Sequence, residues 1–130
     1  MKYPTPFKRQ IMVVDDDDAV REALVMLLRM EGHTVSSVSS GDEALALFQL
    51  GKFDLILTDF AMPFMTGDKL AATIKLLSPH QPLVMLTGFS EKFRGSSKRP
   101  MGVDLVVSKP FEIPALRHAI AFADRANSLY

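Results

Sequence analysis

The stretch Ile11-Met12-Val13-Val14-Asp15-Asp16 decides the fold: a short apolar run, rich in β-branched residues, ends directly on carboxylates. Three further apolar runs end on a carboxylate, a hydroxyl and an ammonium. Leu55-Ile56-Leu57-Thr58 ends on Asp59, Leu83-Val84-Met85-Leu86 on Thr87, and Leu105-Val106-Val107-Ser108 on Lys109. In an open parallel sheet the carboxyl ends of all strands share one edge, and such folds bind ligands there. Three carboxylates, a hydroxyl and an ammonium at that edge suit a hard divalent cation and a phosphoryl group.

Working outward, the runs alternate with longer helical periods, the pattern of βα units and a parallel sheet. Val20, Leu24, Leu27 and Leu28 form a helical stripe that stops near Gly32. Thr34 to Val38 reads as a weak, serine-containing strand near the sheet edge. Ser40 is placed to cap a helix carrying Ala44, Leu45 and Phe48, which Gly51 ends. The third strand is expected over 54–58, and a helix from Gly67 carries Leu70, Ile74 and Leu77. Between Ser90 and Gly102 a further helix is due, yet Gly95-Ser96-Ser97-Lys98-Arg99-Pro100 is loop chemistry. The fifth strand is expected over 104–108. Pro114 suits a helix first turn, and Leu116, Ile120 and Ala123 give that last helix a buried face.

A chain of 130 residues makes one domain, able to bury roughly two-thirds of its unfolded surface. We expect a leader or linker over 1–9, the domain over 10–127 and a short tail over 128–130. No apolar run approaches the roughly 20 residues of a membrane span, and residues 1–10 lack the apolar centre of a signal peptide. The absence of cysteine excludes disulfides and thiolate metal sites and fits a cytoplasmic protein. Fifteen basic and fifteen acidic residues cancel, which argues against a general nucleic-acid surface. Lys92, Arg94, Lys98 and Arg99 read as a solvated loop, and His33, His80 and His118 as solvated side chains without metal-ligand spacing. Met62, Phe64 and Met65 read as packing residues, with any exposed one available to a partner.

Adjacent carboxylates repel one another unless a cation or lysine offsets them. A small hard cation such as Mg²⁺ is usually held by one or two carboxylates plus phosphate oxygens. An acyl phosphate on Asp59 would have its charge offset by metal and the Lys109 ammonium together, with the Thr87 hydroxyl donating to another oxygen.

The order of the motifs is more specific than any one of them. Val13-Val14-Asp15-Asp16-Asp17 with Arg21, Asp59-Phe60-Ala61-Met62-Pro63 with Gly67, Leu86-Thr87-Gly88, and Lys109-Pro110-Phe111 closely resemble a response-regulator receiver domain. The resemblance runs from about Ile11 to Ile120. It implies a flavodoxin-like (βα)5 three-layer sandwich with a parallel five-stranded sheet in order 2-1-3-4-5. The fourth helix in chain order would be short or irregular. It also implies Asp59 as phosphoacceptor, Asp16, Asp59 and the Ala61 backbone carbonyl as direct Mg²⁺ ligands, and Asp15 acting through water. Thr87 and Lys109 would bind the phosphoryl group, and the Lys109–Pro110 bond would be cis. Asp17 and Asp18 are assigned to the following turn and helix cap.

The function so implied is a phosphorylation-dependent switch in a two-component phosphorelay. Its donor would be a histidine kinase or histidine phosphotransfer protein and its reader a downstream protein, with no nucleic acid or membrane bound by the domain itself. Ala61 and Phe89 cannot orient a hydrolytic water as an acid or amide could, so slow self-dephosphorylation is expected. Val106 stands where the family usually has an aromatic switch residue, which shifts the expected route of the signal to residues 93–101. Two alternatives remain. One is a Mg²⁺-dependent phosphatase of the haloacid-dehalogenase type, with Asp15 as nucleophile and Asp17 as acid/base; the other is a receiver-like interaction module without phosphotransfer.

Overall fold

The computed structural model describes residues 8–88 and 100–128. Strands and helices alternate: β1 (Gln10–Val14), α1 (Asp18–Met30), β2 (Thr34–Val38), α2 (Gly41–Leu50), β3 (Leu55–Asp59), α3 (Gly67–Leu77), β4 (Leu83–Thr87), β5 (Leu105–Ser108) and α4 (Ile113–Ser128). The strands form one sheet in order β2-β1-β3-β4-β5, and every neighbouring pair is parallel. This is the flavodoxin-like arrangement expected from the sequence.

The two-residue period of a strand divides the core between the sheet faces. Ile11, Val13, Leu55, Leu57, Val84 and Leu86 face Leu24 and Leu28 of α1 and Leu116, Ala119 and Ala123 of α4. Met12, Val14, Ile56, Leu83 and Met85 face Ala44 of α2 and Leu70, Ala71 and Ile74 of α3. Helices on both faces explain why β3 and β4 are buried throughout. The polar β2 lies at the edge, where Ser37 reaches solvent. Truncating a fully buried leucine such as Leu28 would cost about 2–5 kcal/mol.

Helix ends follow their sequence signals. Asp17 is the N-cap of α1 and accepts the Val20 N–H at 3.1 Å. Ser40 caps α2 by accepting the Glu43 N–H at 3.2 Å, while Glu43 reaches back to the Ser39 N–H and hydroxyl. Gly32 follows α1 with φ 97°, in the left-handed region that glycine enters without a Cβ penalty.

Two strand limits differ from the sequence reading. Asp54 precedes β3 rather than opening it: its carboxylate accepts the Gln10 N–H and its own N–H donates to the Gln10 carbonyl, both at 2.8 Å. Asp104 likewise precedes β5, its carboxylate accepting from the Lys75 ammonium at 2.6 Å and the Leu83 N–H at 2.8 Å.

His33 corrects the expectation of a solvated side chain. It is buried, and its Nδ1 accepts the Arg9 backbone N–H at 3.2 Å. The Arg9 guanidinium in turn pairs with Asp124 of α4 at 2.5 and 2.7 Å, which holds Arg9 against the imidazole. His80 and His118 are exposed as expected. The helix due between β4 and β5, the basic stretch from Lys92 to Arg99, and Phe89 lie outside the described residues. Val106 is half-buried against the second core.

Candidate functional site

Parallel strands deliver all five of the expected side chains to one edge. Asp15 and Asp16 follow β1, Asp59 ends β3, Thr87 ends β4, and Lys109 follows β5. The register sets Asp59 beside Leu86 and Thr87 beside Ser108. Thr87 is buried, and its carbonyl accepts the Lys109 N–H at 2.9 Å, which fixes the backbone from which the lysine leaves. The Lys109–Pro110 peptide bond is cis, as the resemblance implied.

Ligand oxygens of Asp15, Asp16 and Asp59 lie within 4.8 Å of one another. Asp15 and Asp59 are only 2% and 8% exposed, whereas Asp16 is open to solvent. The Lys109 ammonium bridges the two buried acids, donating to Asp15 Oδ2 at 3.0 Å and Asp59 Oδ1 at 3.1 Å. The other Asp15 oxygen accepts the Asp17 N–H at 2.9 Å. Both Asp15 oxygens are therefore engaged by the protein.

Burial pushes the Asp59 carboxyl above its usual range; the Lys109 charge and hydrogen bond pull it back, and Asp15 adds to the rise. Burial acts on Lys109 in the opposite sense, lowering it, but its contacts with Asp15 and Asp59 outweigh that and leave it raised. The ammonium is thus held by two carboxylates, one of which burial pushes above its usual range. A second positive charge in this pocket would relieve the excess acid. Three clustered carboxylates, hard oxygen donors all, fit a small hard cation.

The loop after Asp59 is drawn tightly back over the strand end. The Gly67 N–H donates to the Phe60 carbonyl at 2.8 Å, and a Cβ at Gly67 would overlap the Asp59 carbonyl. Ala61 is exposed on this loop, and Met62 is buried beneath it. Phe64 was not legible as special. Its φ is 68° and its ring is fully exposed, while Met65 N–H donates to the Pro63 carbonyl at 2.7 Å to close a γ-turn. Met65 packs back on the second core, so of the three apolar residues only Phe64 is presented outward.

Comparison with known proteins agrees with this geometry. A family profile for the response regulator receiver domain matches residues 11–121. The chain belongs to that family. It is 33% identical over 112 residues to the response regulator FleR of Pseudomonas aeruginosa, covering 86% of this chain and 24% of FleR. It is 30% identical over 125 residues to the cell cycle response regulator CtrA of Brucella ovis, covering 92% of this chain and 53% of CtrA. The receiver chain thus spans about a quarter to a half of these relatives. Among solved structures, TrrA of Thermotoga maritima, in complex with Mg²⁺-BeF, has a TM-score of 0.81 at 30% identity, covering 88% of this chain and 98% of TrrA. A receiver domain from Clostridium thermocellum has a TM-score of 0.82 at 26% identity, covering 94% and 99%. Among the described residues of this receiver, no helix is long and apolar enough to cross a membrane.

Proposed function

We propose that this receiver takes a phosphoryl group onto Asp59 from the phosphohistidine of a histidine kinase or histidine phosphotransfer protein, and that the phosphorylated form is read by a downstream protein. The observation that carries this reading is the Lys109 ammonium bridging Asp15 and Asp59, with Asp16 in the same cluster. A buried carboxylate beside a fixed ammonium and two further acids is arranged for charge exchange rather than for stability.

In this reading Asp16, Asp59 and the Ala61 carbonyl hold Mg²⁺, and Asp15 acts through water. The engagement of both Asp15 oxygens supports that indirect role. When bound, Mg²⁺ offsets negative charge on the phosphoryl oxygens. An Asp59 carboxylate oxygen attacks phosphorus, the O–P bond forms, and the donor's N–P bond breaks, its electron pair staying with the departing imidazole. Lys109 then exchanges its contact with Asp59 for one with a phosphoryl oxygen, and the Thr87 hydroxyl donates to another. Soluble character and a cytoplasmic location belong to the same proposal.

The haloacid-dehalogenase alternative has no support in the geometry. Its acid/base would be Asp17, which is instead the N-cap of α1, and its nucleophile would be Asp15, whose oxygens are both held. Nothing observed favours the interaction-only module either. Incubation with acetyl phosphate tests the proposal: phosphorylated protein should accumulate with Mg²⁺ and be lost with a chelator. Accumulation that ignores Mg²⁺ would refute the metal-assisted transfer.

A further inference from the structure

Four consecutive aspartates, Asp15 to Asp18, offer a cation four carboxylates, and three of them already have protein partners. Asp15 is held by Lys109 and the Asp17 N–H, and Asp17 caps α1. Asp18 is held by Arg21, whose Nη2 donates to Asp18 Oδ1 at 2.5 Å. The other terminal nitrogen of the same guanidinium, Nη1, donates to the Asp15 backbone carbonyl at 2.8 Å. That carbonyl belongs to the Asp15–Asp16 peptide plane, from which the Asp16 side chain departs.

The geometry points to Arg21 as a positioning residue for the metal site: one fork fixes the peptide plane that aims Asp16 and withholds Asp18 from the cation. This inference rests on the proposed Mg²⁺ site and deepens it. The Asp15 N–H donates to the Val38 carbonyl at 3.2 Å, so the Asp15 backbone is held from β2 on one side and by Arg21 on the other. Arg21 is itself anchored, its N–H donating to the Asp17 carbonyl at 2.9 Å, and its side chain is only 17% exposed. The Asp18 carboxylate is 79% exposed, and an ion pair with so open a partner contributes little stability. The value of the fork is therefore orientation.

Removing Arg21 takes away a repulsive charge and frees the Asp18 carboxylate, and both changes favour tighter cation binding, so weaker binding reads the loss of positioning. If Arg21 acted only as a nearby positive charge, removing it would strengthen cation binding. If it positions Asp16, removing it weakens binding despite the lost repulsion. Partners that orient metal ligands typically change affinity by about 10–100-fold when lost. Isothermal titration of Mg²⁺ into the wild type, R21A, R21K and D18N reads the difference. R21A should bind on the order of tenfold more weakly. R21K, which keeps the charge but not the fork, should also weaken, and D18N should stay within about twofold. R21K also carries the test should R21A fail to fold, as judged by its amide spectrum. Mg²⁺ binding by R21A as tight as wild type, or tighter, overturns the positioning role and leaves the metal site standing. A wild type that binds no Mg²⁺, or is unaffected by D16A, removes the metal site itself.

Discussion

Lys109, beyond the end of β5, reaches past β4 to donate to Asp59 at the end of β3, at 3.1 Å. A cation bound by the Asp15, Asp16 and Asp59 cluster would neutralise the same acids as the lysine, and each should change what the other contributes. Removing Lys109 leaves buried Asp15 and Asp59 facing each other. We expect Lys109→Ala to lose about 1–3 kcal/mol of stability without metal, and Mg²⁺ to raise its melting temperature more than it raises that of the wild type. Thermal melts of both proteins with and without Mg²⁺ check this; an equal shift would mean that the lysine and the cation act on different groups.

Gly67 marks where the loop after Asp59 returns to the strand end. Its missing Cβ is required by contact with the Asp59 carbonyl, which is backbone and cannot rotate away. Gly67→Ala should destabilise the domain by about 1–3 kcal/mol and move the Asp59 and Phe60 amide resonances. Denaturant unfolding with amide spectra is the check, and a wild-type midpoint would contradict the close approach.

His33 supplies a pH dependence of defined sign. Burial lowers its pKa first and the Arg9 charge second, against the opposing charges of Glu31, Asp124 and Asp54. The unfolded chain therefore binds the proton more readily than the fold does. The stability owed to neutral His33 is complete above about pH 6.5 and declines as pH falls from there through the lower folded value. His33→Asn keeps an acceptor for the Arg9 N–H without titrating. The stability difference between wild type and variant should shift against the wild type between pH 7.5 and pH 5.5 (roughly the titration range of histidine). A pH-independent difference would show that His33 titrates alike in both states.

Ala61 stands two residues after Asp59 and offers only an exposed methyl. It cannot orient an attacking water, so the phosphorylated domain should lose its phosphoryl group slowly. Ala61→Asn should hasten that loss, measured by following phosphoprotein after the donor is removed. An unchanged or slower rate would show that water reaches the phosphoryl group by another path.

The strand-end pattern made the fold and the site legible because both depend on local chemistry. An apolar run ending on Asp15, Asp59, Thr87 or Lys109 states which edge the side chain reaches, and parallel pairing does the rest. Caps at Asp17 and Ser40 were equally local. The burial of His33 was not, because it depends on Arg9 meeting Asp124, 115 residues away in sequence. The left-handed turn at Phe64 was hidden for another reason: its sequence carries no glycine, the usual sign of such a backbone. The fork of Arg21 combined both cases. The six-residue spacing from Asp15 was visible, but only the folded loop shows one guanidinium holding a carbonyl and a carboxylate together.

The location of the phosphoryl group is the most direct measurement. After incubation with acetyl phosphate and Mg²⁺, borohydride reduction converts an aspartyl phosphate to homoserine, which peptide mass spectrometry assigns to a residue. One modified residue is expected, Asp59, with no modification in Asp59→Ala. Modification of Asp15, Asp16 or another residue in the wild type, or undiminished modification of Asp59→Ala, would contradict the assignment of Asp59 as the acceptor.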